Sequence, residues 1–209
     1  MSRYDVLLFL HIVGAIVWVG IGLTGHALAV WAYRKHEWTF FAKLQEGFGS
    51  LEAPAGILGP LLLLGTGIGL VADGPWGFTG TWVVIGLAGF GAALFLGIAF
   101  QGPGMRRFNE IVRERETHDP EAIAVGRRLN ALMWPELAIL ATVLLAMATK
   151  PTGWGSVGFW ISAATILGGA FAMMIFELVA GKRGAERGGP TVGPASRSDA
   201  TESALPSDT

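Results

Sequence analysis

The sequence predicts an all-α protein that crosses a membrane several times as a polytopic helical bundle. Hydrophobic residues form 52% of the 209-residue chain, charged residues only 15%, and the mean hydropathy is +0.51. This composition is far more apolar than that of soluble domains. Cysteine is absent, which excludes disulfides, thiolate metal sites and covalent haem attachment. The net charge of −1 provides no overall basic field for nucleic acid.

Five apolar segments predict five transmembrane helices, because ~20 apolar residues cross a hydrocarbon core. The first segment, residues 6–32, has only His11, Thr24 and His26 as polar interruptions. It is longer than the ~7–15 apolar residues of a cleaved signal peptide, so we expect it to be retained. The other four segments are residues 53–72, 82–100, 129–149 and 157–180.

Basic residues predict the orientation of the bundle. Of the 15 Lys and Arg residues, all but Arg3 and Lys150 fall in residues 34–52, 102–128 and 182–209. Because basic connections stay in the cytoplasm, we expect the N-terminus outside and the C-terminus inside. We then expect a multi-pass protein of a plasma membrane.

The connections carry their own structural signals. Apolar residues at helical spacing in residues 37–51 predict a helix that lies along the inner interface or extends the first span. Asp119 followed by Pro120 predicts a helix start, whereas Gly102, Pro103 and Gly104 predict a helix stop. Residues 1–181 form the transmembrane domain in this interpretation, and the Gly-, Pro- and Ser-containing residues 182–209 are expected to be a disordered cytoplasmic tail.

Small residues spaced four apart predict where the helices pack, because they allow close approach of helices in lipid. Three such stripes occur in the third, fourth and fifth spans, at Gly89, Ala93 and Gly97; at Ala138, Thr142 and Ala146; and at Ala164, Gly168 and Ala172.

Ionisable residues inside the spans are the candidate functional groups. On the first span, His11, Trp18 and His26 share a face with small residues within an arc of roughly 80°. Glu136 follows Pro135 in the fourth span, at nearly the depth of His26, so the two side chains are expected to pair. With Asn130 and Glu177 closer to the same interface, they form either a proton relay or a cluster that only ties helices together.

The first span also resembles known membrane families, through Leu10, His11, Gly14, Ala15, Trp18 and Gly20. The pattern resembles the first helix of copper-resistance D-like proteins and of the membrane protoporphyrinogen oxidase that carries haem b. It is more similar to the uncharacterised integral membrane proteins of domain-of-unknown-function family 2269. That likeness covers about residues 4–115, including Pro54, Ala55, Gly56, residues 65–69 and Gln101.

The resemblance implies a helical bundle and no established activity. In the haem-bearing families, the histidine that matches His11 implies an axial ligand of haem b. Trp18 would lie on the same face of the helix. Counting depths along the spans leaves Met147 as the methionine at a matching depth for the second ligand.

Three functional hypotheses follow. The leading one is a non-catalytic membrane subunit or assembly protein, in contact with lipid and with other membrane subunits. The second is a haem- or quinone-binding protein that uses His11, and the third is a small proton-coupled transporter that uses His26 and Glu136. No catalytic residue is assigned, because motifs of soluble enzymes such as the P-loop or His-Glu-x-x-His are absent.

The charge distribution predicts the result of a topology experiment. A reporter fused after Thr209 is expected to read as cytoplasmic, and one inserted near Gly77 as external, because the basic connections stay inside. Opposite readings at both positions would exclude the predicted orientation.

Overall fold

In the computed structural model, which describes residues 1–35, 37–115 and 119–187, every regular element is a helix. The all-α prediction is therefore confirmed for the described chain. The six α-helices are α1 (Arg3–Lys35), α2 (Trp38–Asp73), α3 (Thr81–Leu96), α4 (Gly102–Glu114), α5 (Pro120–Thr149) and α6 (Val157–Arg187), and a π-helical segment, Gly97–Gln101, joins α3 to α4.

The helices account for the five predicted spans. Four of them are long and apolar enough to cross a membrane: Arg3–Lys35, Thr81–Glu114, Pro120–Thr149 and Val157–Val179. Leu58–Asp73 is a shorter apolar helix that coincides with most of the predicted span 53–72. Each predicted span thus corresponds to a helix. α6 continues to Arg187, past the expected boundary at residue 181, and the rest of the predicted tail lies outside the described residues.

Helix α5 is the centre of the bundle. It packs against α1, α3, α4 and α6, whereas α1 packs mainly against α2. The predicted stripe on α5 is confirmed as a packing surface, since Ala138 and Ala146 are buried. On α3, Ala93 is buried, and Gly89 lies so close to α5 that an added Cβ would stand 2.3 Å from Val143 Cγ2.

The stripe predicted on the last span does not pack within the chain. Ala164, Gly168 and Ala172 are all exposed on α6. The helix instead buries Phe159, Ala163 and Ala170, because Phe159 and Ala163 join a cluster with Ala146 of α5. The predicted stripe of small residues is therefore present on α6, but it faces away from the other helices of the chain.

Two predictions about the connections differ in part from the structure. Residues 38–51 are helical, as predicted, but they belong to α2 and do not extend the first span. The expected helix stop at Gly102 is also absent, because a π-helical turn bonds the Gly102 N–H to the Gly97 carbonyl. Pro103 then lies directly after this π-helical turn, in the first turn of α4.

An apolar cluster holds the basic end of the bundle together; this is the end that carries Lys35, Arg107 and Arg115. Its buried members come from α1, α2, α4 and α5: Ala29, Ala32, Phe41, Phe108, Ile111, Ala122 and Leu129. Asp119 caps α5 as predicted, with its side chain accepting from the Glu121 N–H at 2.7 Å. Arg107 and Arg115 both contact Glu121 at 2.7 and 3.0 Å, which fixes α4 beside the start of α5.

At the opposite end, aromatic side chains surround one basic group. Lys150 ends α5 in the left-handed conformation, with φ of 44°. Its ammonium lies 4.5 Å from the ring centre of Trp76 and 5.7 Å from that of Trp82, distances at which the ring face attracts a cation. These contacts join the ends of α2, α3 and α5.

The contact between α3 and α5 predicts different costs for the same substitution at two neighbouring glycines. Gly89→Ala is expected to lower the free energy of unfolding by about 1–3 kcal/mol, because its Cβ would overlap Val143. Gly91→Ala, on the same helix, is the control, since its Cβ would meet nothing within 4 Å. Unfolding in mixed micelles would measure both, and equal stabilities would show that α3 does not approach α5 at Gly89.

Candidate functional site

The polar side chains inside the bundle form three separate groups. His11 lies between α1 and α2, Glu136 lies between α5 and the π-helical segment, and His26 lies between α1 and α5. The three groups differ in how completely protein partners satisfy their hydrogen-bonding atoms.

His11 is held by α2. Its Nδ1 lies 3.1 Å from the Leu63 carbonyl and 3.0 Å from Thr66 Oγ1. Thr66 donates its own hydroxyl to the Leu62 carbonyl at 2.6 Å. The Leu63 carbonyl and Thr66 Oγ1 can therefore both accept a hydrogen bond from a protonated Nδ1 of His11. Gly67 makes this approach possible, since a Cβ there would stand 3.2 Å from His11 Cε1.

The structure does not bring together the residues that were expected to bind haem. The methyl carbon of Met147 faces Gly86 of α3, because a Cβ added to Gly86 would lie 3.5 Å from it. The Trp18 and Phe90 rings are tilted at 56° with their centres 5.6 Å apart. No described contact joins His11 to Met147 in the part of the chain that the structure covers. The structure therefore does not support His11 and Met147 as axial ligands of one haem.

The predicted pair of His26 and Glu136 does not form. Glu136 accepts a hydrogen bond from Gln101 Nε2 on the π-helical segment. The His26 ring instead meets the ring of Trp134 edge to face, with centres 4.8 Å apart and an interplanar angle of 89°. Neither ring nitrogen of His26 has a hydrogen-bond partner among the described residues.

Glu177 accepts hydrogen bonds from two further polar side chains, those of Asn130 and Trp134. Its Oε2 accepts from Asn130 Nδ2 at 3.1 Å, and its Oε1 accepts from Trp134 Nε1 at 3.0 Å. Since Trp134 also contacts His26, four side chains from α1, α5 and α6 meet here: His26, Asn130, Trp134 and Glu177. We call this group the α5 polar site, because α5 supplies its two central residues.

The α5 polar site is strongly buried and only partly satisfied. His26 is 6% exposed and Asn130 is 5% exposed. Asn130 Oδ1 and both His26 ring nitrogens are buried without a protein partner in the described chain, as is Arg127 Nε one turn before Asn130. Because buried polar atoms normally form hydrogen bonds, these four atoms distinguish the site from a purely structural cluster.

Sequence reasoning found three members of this site and missed the fourth. His26, Asn130 and Glu177 were candidates because ionisable or amide groups are costly inside a membrane. Trp134 was not among the candidates. Its position four residues after Asn130, on one face of α5, was the signal that could have joined it to the site.

Comparison with known proteins identifies one family. A family model described as "Predicted integral membrane protein (DUF2269)" matches residues 5–151. No curated protein and no solved structure matches the chain. The match includes three of the four residues of the α5 polar site and ends before Glu177.

Double-mutant cycles should distinguish the observed contacts from the predicted pair. Asn130→Ala and Glu177→Ala are expected to be non-additive, with a coupling of about 0.5–1.5 kcal/mol in the free energy of unfolding, because they share a hydrogen bond. His26→Ala and Glu136→Ala are expected to add within about 0.5 kcal/mol, as for residues that share no partner. Coupling in the second cycle and not in the first would contradict this geometry.

Proposed function

Because the chain belongs to the DUF2269 family of predicted integral membrane proteins, we propose that it is a multi-pass membrane protein that binds and releases a proton at Glu177. The basic end faces the cytoplasm in this proposal, and the membrane is a bacterial plasma membrane. The proposal keeps the expected role of His26 in a proton-coupled carrier and replaces Glu136 by Glu177 as the acidic partner.

One observation carries the proposal: the carboxylate of Glu177 is held by two neutral donors. Asn130 and Trp134 each donate one N–H to it. In the described part of the chain, no basic side chain forms a salt bridge with Glu177. An acidic group inside a membrane is costly unless its charge is neutralised, and a proton neutralises it without any additional side chain.

The charged and titratable groups around Glu177 favour exchange of this proton on the basic side. On α1, His26 contacts the ring of Trp134, which in turn donates a hydrogen bond to Glu177. From α5, Arg127 lies one turn before Asn130, toward the basic end, on the same face of the helix. Glu136 points away from these residues, because it bonds Gln101. Of these groups, His26 is linked to Glu177 through their shared neighbour Trp134.

A second candidate function rests on the outer face of α6. Ala164, Gly168 and Ala172 are exposed, and an added Cβ on Gly168 would meet nothing within 4 Å. Exposed small residues at this spacing are typical of surfaces on which a further transmembrane helix packs. This observation favours the hypothesis of a membrane subunit, and it is compatible with proton binding at Glu177.

Infrared difference spectroscopy between acidic and alkaline pH tests the proton-binding group. The protein in lipid is expected to show a carboxylic acid C=O band that appears as Glu177 takes up a proton. Glu177→Gln, which keeps the size and the accepting oxygen of the side chain, should remove this band. Glu136→Gln is the matched control, since it changes the other intramembrane carboxyl group, and it should leave the band in place.

Two results would overturn the proposal. One is a pH-dependent band that disappears in Glu136→Gln and survives in Glu177→Gln, which would assign the proton to the other carboxyl group. The other is a pH-dependent spectrum that is identical in the wild type and in Glu177→Gln, since the chain has 16 Asp and Glu residues and the others also give carboxylic acid bands. This result would favour the subunit hypothesis.

A further inference from the structure

Three orphaned polar atoms in the α5 polar site define a place for a ligand. They are His26 Nδ1, His26 Nε2 and Asn130 Oδ1, all buried without a protein partner among the described residues. Both side chains are more than nine-tenths buried, at 6% and 5% exposure. A buried polar atom that lacks a hydrogen bond destabilises the fold, so ligand molecules that bond these atoms would stabilise it.

The chemistry of the three atoms specifies the ligand. A neutral imidazole presents one N–H donor and one accepting nitrogen, and Asn130 Oδ1 only accepts. The molecules that bond these atoms must therefore together donate two hydrogen bonds and accept one. An anion without N–H or O–H groups cannot donate them, and a metal ion finds no group of three His, Asp or Glu ligands in the described chain. Water has the required donors and acceptor.

The His26 and Asn130 side chains both lie beside Trp134. The His26 ring centre lies 4.8 Å from that of Trp134. Asn130 is one helical turn from Trp134 on the same face of α5, so their Cβ atoms are about 5–6 Å apart. A site with several polar partners at this spacing is of the kind that holds ordered water inside proteins.

We infer that bound water molecules link His26, Asn130 and the Glu177 carboxylate in the α5 polar site. The role of this water rests on the proposed function: it is the path by which Glu177 exchanges its proton. In the forward step a hydronium ion transfers its proton to a carboxylate oxygen of Glu177, which forms the acid O–H and leaves neutral water. The reverse step returns the proton, and no electron transfer is involved.

Water-edited solid-state NMR of ¹⁵N-histidine-labelled protein in lipid bilayers tests the inference directly. The chain has four histidines, and His26→Phe identifies the His26 signals by their loss. Magnetisation from water is expected to reach the His26 ring nitrogens at least threefold faster than His11 Nδ1. His11 Nδ1 is the internal reference because Leu63 and Thr66 hold it.

A pair of variants shows whether the water lies where the geometry places it. Asn130→Leu removes one bonding partner of the water and should at least halve the transfer rate to His26. Glu136→Gln is the matched control on another face of α5 and should leave the rate unchanged. The wild-type measurement stands by itself if Asn130→Leu does not fold.

Transfer to His26 as slow as that to His11 Nδ1 would overturn the inference. An equal loss of transfer in both variants would also overturn it, because it would show that the water is not localised at Asn130. These outcomes are independent of the infrared band of Glu177. Slow transfer to His26 together with a pH-dependent Glu177 band would reject only the bound water. Fast transfer to His26 without that band would reject only the proton-binding function.

Discussion

The constraint on which this structure depends is that polar side chains inside a membrane find no hydrogen-bond partners in the lipid. Helix α5 meets most of this requirement, because it packs against α1, α3, α4 and α6. It supplies Asn130 and Trp134 to Glu177 of α6, and it supplies Glu136 to Gln101 beside α3. The polar contacts thus join α5 to helices on two of its sides, while the apolar clusters at the two ends of the bundle complete the packing.

Which of these polar side chains meet depends more on the face of the helix that carries them than on their depth in the membrane. Trp134 and Glu136 are two residues apart, so they point in directions about 200° apart on a helix. Trp134 faces α1 and α6, where it contacts both His26 and Glu177, and Glu136 faces the π-helical segment. Matching depths along two spans therefore predicted a pair, His26 and Glu136, that the rotation of α5 separates.

Glycine has two different uses in this bundle. Gly67 and Gly89 allow close approach, of His11 to α2 and of α5 to α3, since an added Cβ would stand 3.2 Å from His11 and 2.3 Å from Val143. Gly168 has open space around it on the outer face of α6. Composition alone does not separate these cases, because small residues at spacing of four mark a helix contact without specifying whether the partner belongs to the same chain.

The sequence by itself determined that this is an all-α membrane protein with five apolar spans, because span length and hydrophobicity are local properties that the bilayer selects directly. It also identified His26, Asn130 and Glu177, since each is a costly residue in an apolar segment. Only the tertiary structure decided that Trp134 joins them, that α2 holds the His11 Nδ1, and that the stripe on α6 points outward. Those outcomes depend on the rotation and neighbours of each helix, which are set by packing between segments that are distant in the chain.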